Sequence, residues 1–66
     1  APAAVTVLAP DAMQADAWAT AMTVLGVDAG LTHARKAELA VRFLARKDGI
    51  LLESMSPAFE RHLSAS

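Results

Sequence analysis

Residues 10–26, Pro-Asp-Ala-Met-Gln-Ala-Asp-Ala-Trp-Ala-Thr-Ala-Met-Thr-Val-Leu-Gly, have the pattern of a capped helix. Asp11 is a favourable N-cap, and Gln14 three positions later completes a capping-box pattern that satisfies backbone N–H groups at the helix start. Residues 12–25 contain no Gly or Pro and are rich in Ala, the strongest helix former. Gly26 easily takes the left-handed conformation in which helices end. The stretch therefore predicts a helix over residues 12–25.

Two faces can be drawn on this predicted helix. Trp18, Met22 and Leu25 have the i, i+4, i+7 spacing of an apolar stripe. Asp16 and Thr20, one turn apart, place a carboxylate beside a hydroxyl in a stretch that is mostly alanine. Burying a carboxylate without a partner costs free energy. Asp16 is therefore the residue that first suggests a function.

The spacing of Asp16 and Thr20 suits a divalent cation. Mg²⁺ prefers oxygen ligands and is often held by one or two protein groups together with waters and substrate phosphates. The same Asp-x-x-x-Thr spacing also occurs by chance in many helices. In that case Asp16 is a solvated acid favoured by the positive end of the helix dipole, and Thr20 fills a surface position. Spacing alone leaves both interpretations open.

The composition indicates at most one small domain with a thin core. The chain has 66 residues, and a chain of that size buries only about 60% of its unfolded surface. It contains one Trp, two Phe and no Cys, which excludes a disulfide and a thiolate metal site. The net charge of −1 gives no electrostatic basis for binding nucleic acid. No apolar run approaches the roughly 20 residues of a membrane-spanning helix.

The segments on either side of this helix predict one strand and a second helix. The β-branched run Ala4–Leu8 is typical of a strand. Residues 27–31 are predicted to form a turn, in which Asp28 is a plausible N-cap. A second, shorter helix is therefore predicted over residues 29–36, although Gly30 near its start disfavours helix.

The second half of the chain predicts a hairpin and a short terminal helix. Asp48-Gly49 tolerates the positive φ of a tight hairpin turn, so residues 40–46 and Ile50–Met55 are predicted as antiparallel strands. Ser56-Pro57 is an N-cap followed by proline at the first helical position, which predicts helical turns over residues 57–63. The predicted fold is α+β, with a three-stranded antiparallel or mixed sheet packed with one long and one short helix. The predicted order is β-α-α-β-β plus a short C-terminal helical turn.

Other residue types with possible chemistry carry weaker signals. His33 and His62 are far apart in sequence and have no supporting acid nearby, so we expect ordinary solvated or capping histidines. The serines lack a nucleophile motif, and the sequence has no Gly-rich phosphate loop. The methionines are expected to fill the core. Asp16 and Thr20 are therefore the candidate metal ligands, while no catalytic or flavin-binding residue is assigned.

Residues 5–21, followed by Val24-Leu25-Gly26, resemble the C-terminal part of the ApbE family, the FAD:protein FMN transferases. The family pattern there is a strand ending in Ala-Pro, then A-x-x-A-D-x-x-A-T-A, a hydrophobic pair and Gly. The likeness continues through Gly30-Leu31, Lys47-Asp48-Gly49 and Ser56-Pro57-Ala58-Phe59, and so covers nearly the whole chain.

Two residues depart from the family pattern. Trp18 stands where the family usually has a smaller aliphatic residue, which leaves both candidate ligand positions intact. Ala58 replaces the common glycine of the closing segment, so a different turn is expected there.

The resemblance implies that Asp16 and Thr20 bind Mg²⁺. It implies a full enzyme that binds FAD, attaches FMN to a threonine of a target flavoprotein subunit and releases AMP, which is phosphoryl transfer. Family members are typically exported, lipid-anchored bacterial proteins, so a periplasmic or cell-envelope location is expected for the parent protein. The family enzyme is several times longer, so residues 1–66 are expected to be its C-terminal portion and inactive alone.

Two alternatives stay open on the sequence. A related FAD pyrophosphatase would differ only in using water as the acceptor. A small α+β binding or interaction module would keep the helix as a scaffold without any metal. Substitution of Asp16 and Thr20 separates this module from an enzyme, because a scaffold should tolerate the change.

Overall fold

The structure is a computed structural model that describes residues 3–64. Five elements follow one another along this part of the chain: β1 (Ala4–Leu8), α1 (Ala12–Ala37), β2 (Ala40–Lys47), β3 (Ile50–Met55) and α2 (Pro57–Ser64). The strands form one sheet in the order β1-β2-β3, with both pairs antiparallel. The predicted α+β class and three-stranded sheet are confirmed, and the sheet is antiparallel throughout.

Helix α1 begins at the predicted N-cap, Asp11, but only half of the predicted capping box forms. Asp11 is in the extended conformation, and its carboxylate accepts a hydrogen bond of 2.8 Å from the backbone N–H of Gln14. The side-chain amide of Gln14 donates to the same carboxylate at 3.2 Å. The cap therefore satisfies one of the backbone donors that the first turn of a helix leaves without a partner.

Helix α1 consists of two helical segments that meet at Gly26, and the second begins earlier than predicted. It extends to Ala37, so the predicted turn over residues 27–31 and the N-cap role of Asp28 are wrong, and the element order is β-α-β-β-α. Within α1, Gly26 has non-helical angles, φ 84° and ψ 177°. The glycine supplies the predicted positive φ and separates two helical segments that together form α1. We call residues 12–25 the N-terminal arm and residues 27–37 the C-terminal arm.

The break at Gly26 folds the two arms against each other. In a straight helix, Trp18 and His33 would lie about 22 Å apart along the axis. Their ring centroids are 5.3 Å apart, with the ring planes tilted by 34°. The two predicted helices are therefore present as the arms of one element. Trp18, the departure from the family pattern, packs its ring on the opposite arm.

The main core lies between α1 and one face of the sheet. The buried residues that form it come from β1, both arms of α1 and β2: Val7, Met22, Ala34, Val41 and Phe43. Trp18 packs against this cluster and is partly buried. Leu25 is 45% exposed, so the predicted apolar stripe contributes Met22 and Trp18 to the core and ends before Leu25.

Gly30 marks the closest approach of the C-terminal arm to the core. A Cβ atom at this position would lie 2.5 Å from Cζ of Phe43 and 3.2 Å from Sδ of Met22. Atoms other than hydrogen do not approach so closely without displacement. The glycine that seemed unfavourable for helix is therefore explained by packing, because a larger residue would push this arm away from the sheet.

The hairpin forms as predicted. Asp48 and Gly49 have φ of 53° and 78°, and Lys47 pairs with Ile50 across the two-residue turn. These positive angles match the turn type that continues the right-handed twist of the strands. The first strand of the hairpin reaches Lys47, one residue beyond the predicted boundary.

Ser56 joins the sheet to α2. Its buried Oγ accepts a hydrogen bond from the N–H of Val41 at 3.0 Å and donates one to the carbonyl of Leu39 at 2.6 Å. The same oxygen accepts from the N–H of Phe59 at 3.4 Å, which confirms the predicted N-cap. Helix α2 then runs to Ser64 and packs against β2, and Ala58 lies in its first turn.

Candidate metal site

Asp16 and Thr20 lie on the N-terminal arm, and both are exposed. Four residues of an α-helix turn by about 400°, so the two side chains are separated by only about 40° around the axis. Met22, which is fully buried, is about 200° away from Thr20. The pair therefore faces away from the core and toward solvent.

The hydroxyl of Thr20 has a fixed hydrogen bond. Its Oγ1 donates to the backbone carbonyl of Asp16 at 3.1 Å. A hydroxyl has one proton and two lone pairs, so this bond leaves the lone pairs of Thr20 available to a cation. Thr23 and Thr32 bond back to the preceding turn in the same way, at 2.8 and 3.0 Å. The bond orients the hydroxyl, but it is common to the threonines of α1 and does not by itself mark a metal site.

The carboxylate of Asp16 has no hydrogen-bond or ion-pair partner among residues 3–64. Its exposure allows water to solvate the charge, so the free-energy cost of burying an unpaired acid does not arise here. The feature compatible with metal binding is availability. Two side-chain oxygen donors lie one turn apart on the helix, and apart from the bond from Thr20 to the Asp16 carbonyl they are not used by other protein groups.

The donor set fits magnesium better than zinc. Asp16 and Thr20 offer hard oxygen ligands, whereas structural zinc sites use mainly Cys and His in a closed tetrahedron. Within residues 3–64, no group of three or more His, Cys, Asp or Glu residues lies close enough to hold a metal ion. An ion bound to this pair would therefore need further ligands. The remaining positions of an octahedral ion would be filled by waters, substrate phosphates or other protein groups.

The two histidines are not brought into this site. His33 contacts the ring of Trp18 across the two arms of α1 and is exposed. His62 is exposed on α2. In the described part of the chain, neither forms a hydrogen bond or ion pair with a carboxylate, so neither has the oriented partner that a general base needs.

A cleft that was not predicted from the sequence lies at the end of the N-terminal arm next to Gly26. It has a volume of about 420 Å³ and lies between the break at Gly26 and the hairpin, where Asp28, Arg46 and Lys47 supply its charged groups. The break at Gly26 and the hairpin were each visible in the sequence, but nothing local indicated that the break would lie beside the hairpin strands. Asp16 and Thr20 do not line this cleft.

Neither α1 nor α2, within residues 3–64, has the length and apolar character needed to cross a membrane.

The chain is similar to proteins of one family. The model of the ApbE family matches residues 1–43. The chain is 42% identical over 59 residues to the FAD:protein FMN transferase of Haemophilus influenzae, and 39% identical over 59 residues to that of Escherichia coli K12. Each match covers 89% of this chain and 17% of the relative.

A solved structure agrees with these matches. The chain superposes on the apo form of the Pseudomonas stutzeri flavinyl transferase ApbE with a TM-score of 0.86 and 31% sequence identity. The superposition covers 94% of this chain and 20% of that one. The chain therefore spans about one fifth or less of the length of these relatives.

Proposed function

This chain belongs to the ApbE family, and on that premise we propose that it is the C-terminal portion of a Mg²⁺-dependent FAD:protein FMN transferase. The relatives from Haemophilus influenzae and Escherichia coli carry that transferase name, which specifies FAD as the flavin donor and a protein as the acceptor. Because the chain spans only 17% of those relatives, the complete reaction is proposed for a longer polypeptide. The 66 residues alone are proposed to be inactive.

The exposed pair of Asp16 and Thr20 is the observation that carries this proposal. In the proposed reaction, a threonine hydroxyl of the acceptor attacks the FMN phosphorus of FAD, and the bond to AMP breaks. A bound Mg²⁺ would neutralise the charge that develops on the leaving phosphate. The carboxylate of Asp16 would hold the ion, together with the lone pairs of Thr20 that the bond to the Asp16 carbonyl leaves available.

The surroundings of the pair leave space for a large anionic substrate. Between them on this face, Ala17 and Ala19 carry only methyl groups, and the larger side chains of Met13 and Val24 lie at its two ends. A regular helix fixes the spacing of the two oxygens, so little conformational entropy is lost when they bind an ion. The cell-envelope location and the lipid anchor of the parent protein stay predictions, which signal-peptide cleavage and lipid labelling in cells would test.

The experiment compares matched substitutions in the full-length transferase. Asp16→Asn and Thr20→Val each remove one proposed ligand. Asp28→Asn and Thr23→Val are the controls, because both residues are exposed on the same helix and Thr23 has the same back bond to the preceding turn. We expect the first two variants to need roughly 10–100-fold more Mg²⁺ for half-maximal FMN transfer to a purified acceptor, and the controls to match the unmodified enzyme.

A binding measurement makes this test independent of turnover. Titration of Mg²⁺ into the isotopically labelled protein should shift the NMR signals of residues 15–21, and Asp16→Asn should abolish the shift. Equal metal dependence in all four variants would contradict the metal role and favour a scaffold. Release of FMN and AMP without an acceptor protein, at the rate of transfer, would instead assign the protein as an FAD pyrophosphatase.

A further inference from the structure

Strand β3 carries apolar side chains on both of its faces. Ile50, Leu51 and Leu52 are 62%, 54% and 47% exposed. Successive side chains of a strand point to opposite faces, so Ile50 and Leu52 lie on the α1 side of the sheet and Leu51 on the other. Continuous apolar runs are typical of strands that are covered on both faces. In residues 3–64 these three side chains are largely uncovered.

The backbone of β3 has one free edge. The N–H of Ser56 donates to the carbonyl of Val41 at 2.9 Å, which fixes the side of the strand that faces β2. Because N–H groups alternate in an antiparallel pair, those of Leu52 and Ser54 point toward β2 and those of Leu51 and Glu53 point away from it. In the described part of the chain, β3 is an edge strand with β2 as its only neighbour in the sheet.

This edge lacks the features that protect exposed strands. Free-standing proteins block their edges with Pro or Lys, with a bulge or with a covering element. The sequence of β3, Ile-Leu-Leu-Glu-Ser-Met, contains neither Pro nor Lys, and its register with β2 from Arg42 to Lys47 is regular. Glu53 is the one charged side chain of the strand, and it forms an ion pair with Arg42 within the sheet. An unprotected apolar edge of this kind is a site for adding a strand.

We propose that an apolar β-strand from the remainder of the transferase pairs with the free edge of β3, which makes β3 an interior strand of a larger sheet. The inference rests on the proposed function, because it requires the longer polypeptide. The matches leave about four fifths of the relatives outside this chain, which is ample to supply such a strand. A strand paired at this edge would continue the sheet past β3, so that layers packed on the two faces of the larger sheet could also cover Ile50, Leu51 and Leu52.

Hydrogen exchange within this one strand tests the proposal. In the full-length transferase, without FAD or Mg²⁺, we expect the outward amides of Leu51 and Glu53 to exchange within about tenfold of the inward amides of Leu52 and Ser54. In the 66-residue chain, the outward amides should exchange at least about a hundredfold faster than the inward ones. Slow exchange of the inward amides is the internal control, since it shows that the hairpin is folded.

If the outward amides exchange rapidly in the full-length protein while the inward amides are protected, the proposal is overturned. A second copy of the chain is the competing occupant. If the outward amides are protected only at high protein concentration, and light scattering gives a doubled mass, then a second copy covers the edge. That result would also overturn the proposal. Neither measurement uses flavin transfer, so a failed activity assay with Asp16→Asn would leave this result unchanged.

A proline pair gives a second measurement. Leu51→Pro removes an outward N–H, whereas Leu52→Pro removes one that bonds to β2. Edge strands tolerate proline only where the N–H faces solvent. We therefore expect Leu51→Pro to be tolerated better than Leu52→Pro in the 66-residue chain. In the full-length protein, Leu51→Pro should raise the exchange rate of the Glu53 amide, and an unchanged rate would argue against a paired edge.

Discussion

Replacing Gly30 with alanine tests the close approach of the C-terminal arm to the sheet. The new Cβ would lie 2.5 Å from Cζ of Phe43, whereas carbon atoms pack at about 3.5–4.0 Å, so the ring must retreat by about 1 Å. Phe43 is fully buried, and its neighbours leave little room for that movement. Overpacking of this kind costs about 1–3 kcal/mol, and the buried ring places the cost in the upper half of that range.

Helix propensity opposes the packing cost. Alanine is more favourable than glycine by about 1 kcal/mol in a helix interior. The packing cost of about 2–3 kcal/mol exceeds this gain, so Gly30→Ala should lower the free energy of unfolding by about 1–2 kcal/mol. For a domain of this size, that loss corresponds to a fall in Tm of roughly 4–16 °C. The assay is urea and thermal unfolding, followed by far-UV circular dichroism and by the fluorescence of Trp18.

A double-mutant cycle isolates the contact. Phe43→Leu removes the ring atoms nearest to the new Cβ, so in that background Gly30→Ala should be neutral or stabilising by up to about 1 kcal/mol. Ala29→Gly on the exposed side of the same arm measures the propensity effect alone. Stabilisation by Gly30→Ala in the unmodified chain, or equal destabilisation in both backgrounds, would refute the reasoning.

Two further substitutions test local interactions. Ser56→Ala removes the oxygen that bonds to Val41, Leu39 and Phe59, leaves a buried N–H without its partner and should cost about 1–3 kcal/mol in thermal unfolding. A loss no larger than that of Ser54→Ala would contradict this role. Asp11→Ala removes the N-cap of α1 and should cost about 1 kcal/mol, whereas Asp11→Asn should retain most of the stability. Equal unfolding midpoints for the two Asp11 variants would show that the cap contributes little.

Much of the fold could be predicted because the decisive interactions are local. The bounds of β1 and β3 match the prediction, since β-branched and apolar runs bounded by turn residues are short-range signals. The turn at Asp48 and Gly49 was predictable for a similar reason, because few residues accept positive φ. The error at residues 27–31 has a local cause as well. Gly26 separates two helical segments as predicted, but the second begins directly after it and not at residue 29, so the local N-cap signal of Asp28 was misleading.

The candidate site was predicted in its spacing but not in its environment. Asp16 and Thr20 lie one turn apart as expected, because helical periodicity depends on neighbouring residues alone. Asp16 drew attention because an unpaired acid is costly to bury. The residue is exposed, so that cost does not arise. Alanine is found both in cores and on surfaces, so the face that a stretch of alanines covers cannot be deduced from the stretch itself.

The sequence by itself determined the helix start at Asp11, the positive φ of Gly26, the hairpin turn and the one-turn spacing of the two candidate ligands, because each depends on residues within a few positions of one another. Only the tertiary structure decided that Trp18 would meet His33, that Gly30 would lie against Phe43 and that Ser56 would be buried. Those contacts join residues about 13–17 positions apart. Their formation depends on which surfaces the whole chain can bury together, and local propensity contains no information about that choice.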